Sequence, residues 1–139
     1  MIKTLDLKFI RYVNLFNKIT RIRTKHCFEY NNALIFAVPK RFVSQAIGPN
    51  NINLERLSQI IKKRIKIAAI PEAKEDLENF ISIIIRPVRF KAVEIIENEA
   101  IITAGSQNKA ALIGRNKVRL DEMKNILGQY FEVKKVRIK

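Results

Sequence analysis

Two short segments carry residue types suited to holding a phosphate. Gly48-Pro49-Asn50-Asn51 follows Ile47, and Gly114-Arg115-Asn116-Lys117 follows Ile113. Each precedes a run whose apolar residues recur at helical spacing: Ile52, Leu57, Ile60 and Ile61 after the first, Val118, Met123, Ile126 and Leu127 after the second. A turn that feeds a helix presents unsatisfied backbone N–H groups and the positive end of the helix dipole, and both favour anions. Glycine has no Cβ, so another group can approach its backbone closely. Arg115 and Lys117 add charge to the second turn. Around the first, Lys40, Arg41 and Arg56 are close in sequence but outside the turn.

The remaining reactive residues offer little. His26 and Cys27 are adjacent, and neighbouring side chains on a strand point to opposite faces, so they do not share a metal. Cys27 is the only cysteine and His26 the only histidine, which leaves no metal-ligand spacing, no internal disulfide and no Cys-His nucleophile pair. Carboxylates gather in Glu72–Glu78, Glu94–Glu99 and Asp121-Glu122, where exposed helix faces and a hairpin tip are expected. A Mg²⁺-dependent nuclease is therefore disfavoured. No Walker loop, dinucleotide fingerprint or nucleophile elbow occurs. The expectation is a protein that is not an enzyme and has no cofactor or metal.

The two turns belong to a longer repeat. Gly48 and Gly114 stand 66 residues apart, and the same offset matches Phe36 with Ile102, Val38 with Ala104, Leu54 with Leu120, Glu55 with Asp121, Ile65 with Phe131 and Ile67 with Val133. In the first copy, residues 5–20 read as an amphipathic helix begun near Thr4 and Asp6, with Leu5, Phe9, Tyr12, Val13 and Phe16 on one face. His26 to Val38 reads as a hairpin turning at Asn31-Asn32, closed off by Pro39. A short helix over Lys40–Ile47, a helix from about Ile52 to Arg64 and a strand from Ile65 complete the unit. The second copy gives a helix over Glu72 to about Ile83, strands over Val88–Ile96 and Ala100–Ala104, and a helix over Ser106–Ile113 capped at Gly105-Ser106. A helix over Val118–Leu127 stopped by Gly128, and a strand over Phe131–Ile138, complete it. Each half thus reads helix, strand, strand, helix, turn, helix, strand: an α+β chain of two domains, 1–71 and 72–139, joined at Pro71.

Charge narrows the partners. Across the 139 residues, 27 Lys and Arg stand against 13 Asp and Glu, a net of +14. That excess points to a polyanion. It is uneven: residues 1–70 hold 14 basic and 3 acidic side chains, residues 71–139 hold 13 and 10. The first half should supply more of the attraction. The apolar fraction of 47% supports folded cores, while the apolar runs fall far short of the ~20 residues a membrane span needs. The first helix is expected to pack on a sheet rather than lie on a membrane, because its counterpart carries Glu72, Glu75, Asp76 and Glu78. With no secretory pattern at Met1–Asp6, a cytoplasmic protein is expected.

The Ile-Gly pair, short turn and basic amphipathic helix resemble the GXXG loop of the KH domain, a module that binds single-stranded nucleic acid. The element order is similar to the type II (prokaryotic) KH topology. Two such units filling residues 5–138 resemble the archaeal NusA-like transcription termination and antitermination factors. The resemblance implies tandem KH-like domains, each a three-stranded sheet covered by three helices. It also implies a monomeric, cytoplasmic protein that binds single-stranded RNA and acts on nascent transcripts with RNA polymerase. Gly48, Pro49, Asn50 and Asn51 would form one backbone clamp and Gly114, Arg115, Asn116 and Lys117 the other. Lys40, Arg41, Arg56, Lys109 and Arg119 would add phosphate contacts, and Ile47 and Ile113 would sit at the loop bases. This chain departs from the pattern at the fourth loop position, where Asn51 and Lys117 replace glycine; Asn tolerates left-handed angles better than Lys. Pro49 also lacks a backbone donor. The alternatives are an adaptor binding RNA polymerase or another protein with little RNA affinity, and a KH protein of the ribosome or of RNA processing.

Overall fold

In the computed structural model, which describes residues 7–139, six α-helices and six strands alternate in the order of a repeated unit. The contacts cluster into two compact units, one ending at Ile70 and one spanning Pro71–Lys139. The first contains α1 (Leu7–Thr20), β1 (His26–Tyr30), β2 (Ala33–Val38), α2 (Val43–Ile47), α3 (Ile52–Ile61) and β3 (Ile65–Ala69). The second contains α4 (Leu77–Ile85), β4 (Ala92–Ile96), β5 (Glu99–Thr103), α5 (Ser106–Ile113), α6 (Val118–Tyr130) and β6 (Lys135–Ile138). The expected helix start at Thr4–Asp6 lies outside the described residues.

Each unit holds one three-stranded sheet. In the first, β2 is central, antiparallel to β1 and parallel to β3; in the second, β5 is central in the same way between β4 and β6. A hairpin can join the antiparallel pair, and here Asn31 and Asn32, at φ 52° and 63°, supply the two left-handed residues of a tight turn. A parallel pair needs a crossover. The crossover is the α2–loop–α3 segment in the first unit and α5–loop–α6 in the second, so the topology itself requires the element that carries each loop.

The core of the first unit explains why α1 lies on the sheet. Phe16 is fully buried and stacks on Phe36 of β2, with ring centroids 4.3 Å apart and planes 18° from parallel. Leu34, Val38, Ala46, Leu57 and Ile67 close the same cluster, with Phe9, Tyr12 and Ile19 packed at its margin. Thr20 at the end of α1 and Thr24 in the α1–β1 connection are buried, and both are satisfied. Thr20 Oγ1 donates to the Phe16 carbonyl at 2.9 Å, and Thr24 Oγ1 donates to the Ala37 carbonyl at 2.6 Å. In the second unit Phe80 of α4 meets Tyr130 edge-on at 5.2 Å, and Ile81, Ile84, Ile102 and Leu127 are buried.

Several expected boundaries move, each for a local reason. The helix expected to reach Arg64 stops at Ile61, because Lys62 turns left-handed (φ 64°) and its N–H bonds the Ser58 carbonyl. The helix expected from Glu72 begins later, since Ala73 is extended and the Asp76 carboxylate turns back to accept from the Glu72 N–H. Residues 88–91 are not strand: Thr103 is the last β5 residue opposite β4, and Ala104 already donates to the Lys139 carbonyl. Ser106 is the first residue of α5 and not its cap, which is Gly105 with no side-chain bond.

The repeat itself breaks after the second loop. Phe36 pairs with Ile67, yet its counterpart Ile102 pairs with Ile138 and not with Val133. The second crossover is therefore five residues longer. The extra length lies in α6, which runs through Gly128 to Tyr130, and in the connection to β6. Gly128 does not stop the helix. A Cβ there would stand 3.2 Å from the Val133 carbonyl oxygen, so glycine lets the returning chain cross close to α6. The matches of Ile65 with Phe131 and Ile67 with Val133 are consequently not structural equivalents.

Candidate nucleic-acid interface

Both loops have the same backbone. Gly48 (φ 80°, ψ 164°) and Gly114 (φ 75°, ψ 168°) occupy a region open essentially to glycine alone. Asn50 (55°, 32°) and Asn51 (60°, 25°) are then left-handed, and so are Asn116 (56°, 28°) and Lys117 (62°, 23°). The N–H of Ile52 bonds the Pro49 carbonyl across this left-handed pair, and the N–H of Val118 bonds the Arg115 carbonyl. Positive φ at both central positions is the signature of a type I′ turn. The glycine N–H groups are taken, bonding the Ser44 and Ala110 carbonyls at 3.0 Å each as they end α2 and α5. Asn51 and Lys117 donate back to the glycine carbonyls at 3.2 and 3.1 Å. Among the described residues the crest N–H groups of Asn50, Arg115 and Asn116 make no such bond.

The glycines are needed for space as well as for φ. A Cβ on Gly48 would come within 2.9 Å of Asn53 Nδ2 and of Ile52 Cγ2. On Gly114 it would come within 2.7 Å of Arg119 Cγ and 2.9 Å of the Arg119 backbone nitrogen. The first turn of the following helix is thus drawn onto each glycine. In the first unit Asn53 also donates to the Gln45 carbonyl at 3.2 Å, tying α3 to α2 beneath the loop.

The exposed crests differ in chemistry. Pro49, Asn50 and Asn51 are exposed and uncharged, while Arg115, Asn116 and Lys117 are exposed and carry two cations. Lys40 and Arg41 lie in a 3-10 turn before α2, with the Arg41 guanidinium 4.7 Å above the Phe42 ring. Lys109 is exposed on α5. Arg119 is partly buried and paired with Glu122 one helical turn on, so much of its charge is already answered. Arg56 is exposed on α3 and lines a hollow between α1 and α3 with Lys18 and Arg21. Each helix after a loop also carries an exposed acid in its first turn, Glu55 or Asp121, which draws on the same dipole as an incoming phosphate would.

Ile47 and Ile113 are half-buried at the loop bases, and Ile47 packs on the first core. Three apolar residues of the two helical runs are exposed: Ile60 at 56%, Ile52 at 47% and Val118 at 44%. Ile52 and Val118 are the first helical residues after each loop and stand at equivalent positions. Their place directly behind the left-handed pair, on an outward-facing first turn, was the available signal.

His26 and Cys27 occupy successive positions on β1, opposite Ala37 and Phe36. Burial holds the His26 imidazole below its usual pKa. Burial, helped by the nearby Glu29 charge, pushes the Cys27 thiol up to about 12. Among the described residues no three His, Cys, Asp or Glu side chains are grouped to hold a metal ion. Among the same residues no helix is long and apolar enough to cross a membrane.

Two α+β units of the same element order, each with a glycine-opened, left-handed loop on its crossover, are the class this fold and site define. No family model matches the chain. It is similar over 138 residues, at 22% identity and 97% coverage of both chains, to the probable transcription termination protein NusA of Halococcus morrhuae. It is similar to the protein of the same description from Thermoplasma acidophilum at 21% identity over 140 residues, covering 98% of this chain and 95% of that one. The solved structure described as "Crystal structure of APE1850" aligns with a TM-score of 0.62 and 25% identity, covering 96% of this chain and 99% of that one.

Proposed function

We propose that the chain is a single-stranded RNA-binding factor of transcription termination or antitermination, built of two type II KH-like domains and acting without catalysis. The observation that carries the reading is the identical left-handed conformation of two loops 66 residues apart, each at the N-terminus of a helix, in a chain of net charge +14. The two relatives described as probable transcription termination protein NusA support it, as does the antiparallel-then-parallel order of both sheets. Each loop would clamp a sugar-phosphate backbone through its crest N–H groups and the positive end of α3 or α6. In the second loop Arg115 and Lys117 add direct charge. The first loop relies on backbone donors and on Lys40 and Arg41, and Lys109 supplements the second. Ile52 and Val118 would form the apolar wall against which the bases lie. Arg119, paired with Glu122, is left out of the clamp, and Arg56, one turn beyond Ile52 on α3, would meet the phosphates further along the helix. RNA polymerase is the natural protein partner of such a factor, and the cytoplasm its place.

The test is fluorescence anisotropy with labelled single-stranded RNA at several salt concentrations. The proteins are the wild type, Pro49→Asp/Asn50→Asp and Arg115→Asp/Asn116→Asp. Asp tolerates the left-handed angles at 50 and 116, so the loops keep their shape while repelling phosphate. Loss of roughly tenfold or more in affinity in either pair supports a clamp. Wild-type affinity in both pairs would leave only diffuse attraction, and the protein would then be an adaptor.

A further inference from the structure

A hollow of about 430 Å³ opens between α1 and α3 of the first unit, apart from the loop crest. Its apolar lining is Leu15, Ile19 and Ile60, and its polar lining is Lys18, Arg21 and Arg56. Ile60 is 56% exposed, on a helix whose Leu57 is fully buried in the core. No carboxylate lines the hollow, and none of its three cations makes an ion pair among the described residues. Arg21 is held at the end of α1 by a left-handed turn (φ 65°), its N–H bonded to the Asn17 carbonyl at 2.9 Å.

The hollow is not a consequence of the fold. At the same offset in the second unit, Glu122 stands for Arg56 and is paired with Arg119, while Ile126 stands for Ile60 and is buried. One copy has closed and neutralised this position; the other keeps it open and basic.

We propose that the α1–α3 hollow docks an acidic amphipathic helix of a protein partner. An aliphatic floor between two helices receives apolar side chains spaced one helical turn apart. Carboxylates flanking them would meet Lys18, Arg21 and Arg56, giving both attraction and register. The charge is complementary to that partner throughout. RNA fits the surface less well, because no aromatic side chain lines it for base stacking. This surface includes no residue of either loop, shares only Arg56 with the proposed phosphate contacts, and does not depend on the RNA reading.

The test is an NMR titration of the ¹⁵N-labelled full chain with a synthetic helix of about sixteen residues, Leu at i, i+3, i+4 and i+7 and Glu elsewhere. A peptide of the same composition in scrambled order and a short single-stranded RNA are the comparison probes. The expected result is shifts of the amides of residues 15–21 and 56–60, with the ordered peptide binding about tenfold more tightly than the scrambled one. Lys18→Gln/Ile60→Ser should weaken it about tenfold, and Lys18→Gln alone serves if the double variant loses its dispersed spectrum. Equal binding of both peptides, shifts centred elsewhere, or RNA moving these amides in place of the peptide would each overturn the proposal. Because the RNA is a separate probe, failure of the docking surface and failure of the loop clamp are told apart.

Discussion

Asn51 and Lys117, which share neither charge nor size, hold the same left-handed backbone, at φ 60°, ψ 25° and φ 62°, ψ 23°. Each hands the chain into the helix that follows. The conformation is set by the crossover and by the bonds closing across the loop, from Ile52 to Pro49 and from Val118 to Arg115. With the backbone fixed, the side chain at this position is free to vary in what it offers a ligand. Asn offers an amide, Lys a charge.

Lys117 therefore combines strain with charge, and substitution separates the two. Asn at 117 suits the left-handed angles better than Lys, a gain on the order of 0.5–1 kcal/mol. Lys117→Asn should raise thermal stability slightly while lowering RNA affinity. The slope of log affinity against log salt should fall by about one. Thermal unfolding and anisotropy at four salt concentrations would check both; an unchanged slope would remove Lys117 from the phosphate contacts.

Alanine at the two glycines should be unequally tolerated. Both substitutions incur the backbone strain of a glycine-only region, about 1–3 kcal/mol. At Gly48 the new Cβ meets side-chain atoms of Asn53 and Ile52, which can move, whereas at Gly114 it also meets the Arg119 backbone nitrogen. Gly114→Ala should thus be the more destabilising in urea denaturation, and both should weaken RNA binding by displacing the first turn of the helix.

The elements from β1 to the second loop were legible because one offset of 66 residues carries them all, and an exposed hairpin turn such as Asn31-Asn32 is encoded in its own two residues. What followed the second loop was legible as a helix and a strand, but not in its bounds or register. Gly128 has the composition of a helix stop but serves a close crossing by the Val133 carbonyl, a tertiary contact that no local pattern records. The longer α6 then moves β6 so that Ile138, not Val133, pairs with Ile102. At the candidate site the glycines and crest residues were legible from type and spacing. The pairing of Arg119 with Glu122 and the place of Arg56 in one hollow with Lys18 and Arg21 were not, because tertiary packing decides them. Ile52 and Val118 were hidden for the opposite reason: apolar residues at helical spacing read as core until the packing shows which face is covered.

Cys27 should resist alkylation in the folded protein. A thiol moved from an ordinary value near 9 to about 12 by burial and by the Glu29 charge has its thiolate reduced roughly a thousandfold at pH 8. Iodoacetamide at that pH should label Cys27 only as fast as the unit opens, and urea should release ordinary reactivity. Glu29→Gln should raise the folded-state rate modestly, since the charge is the smaller of the two causes. Rapid labelling of the native protein would show that β1 opens readily.

Ile52 and Val118 offer the sharpest division between stability and binding. Each is the first residue of its helix, nearly half exposed, and follows directly on the left-handed pair of its loop. Exposed positions of this kind usually change stability by about 0.5 kcal/mol or less on substitution, so Ile52→Ser and Val118→Ser should unfold near the wild-type midpoint. If the bases lie against these side chains, the same variants should bind RNA several-fold more weakly, with the salt slope unchanged because no charge is lost. The contrast with Lys117→Asn is the useful part: one class of variant should change affinity without the slope, the other should change both. Should Ile52→Ser and Val118→Ser bind as tightly as the wild type, the loops would be holding backbone alone, and base contacts would have to come from elsewhere on the two units.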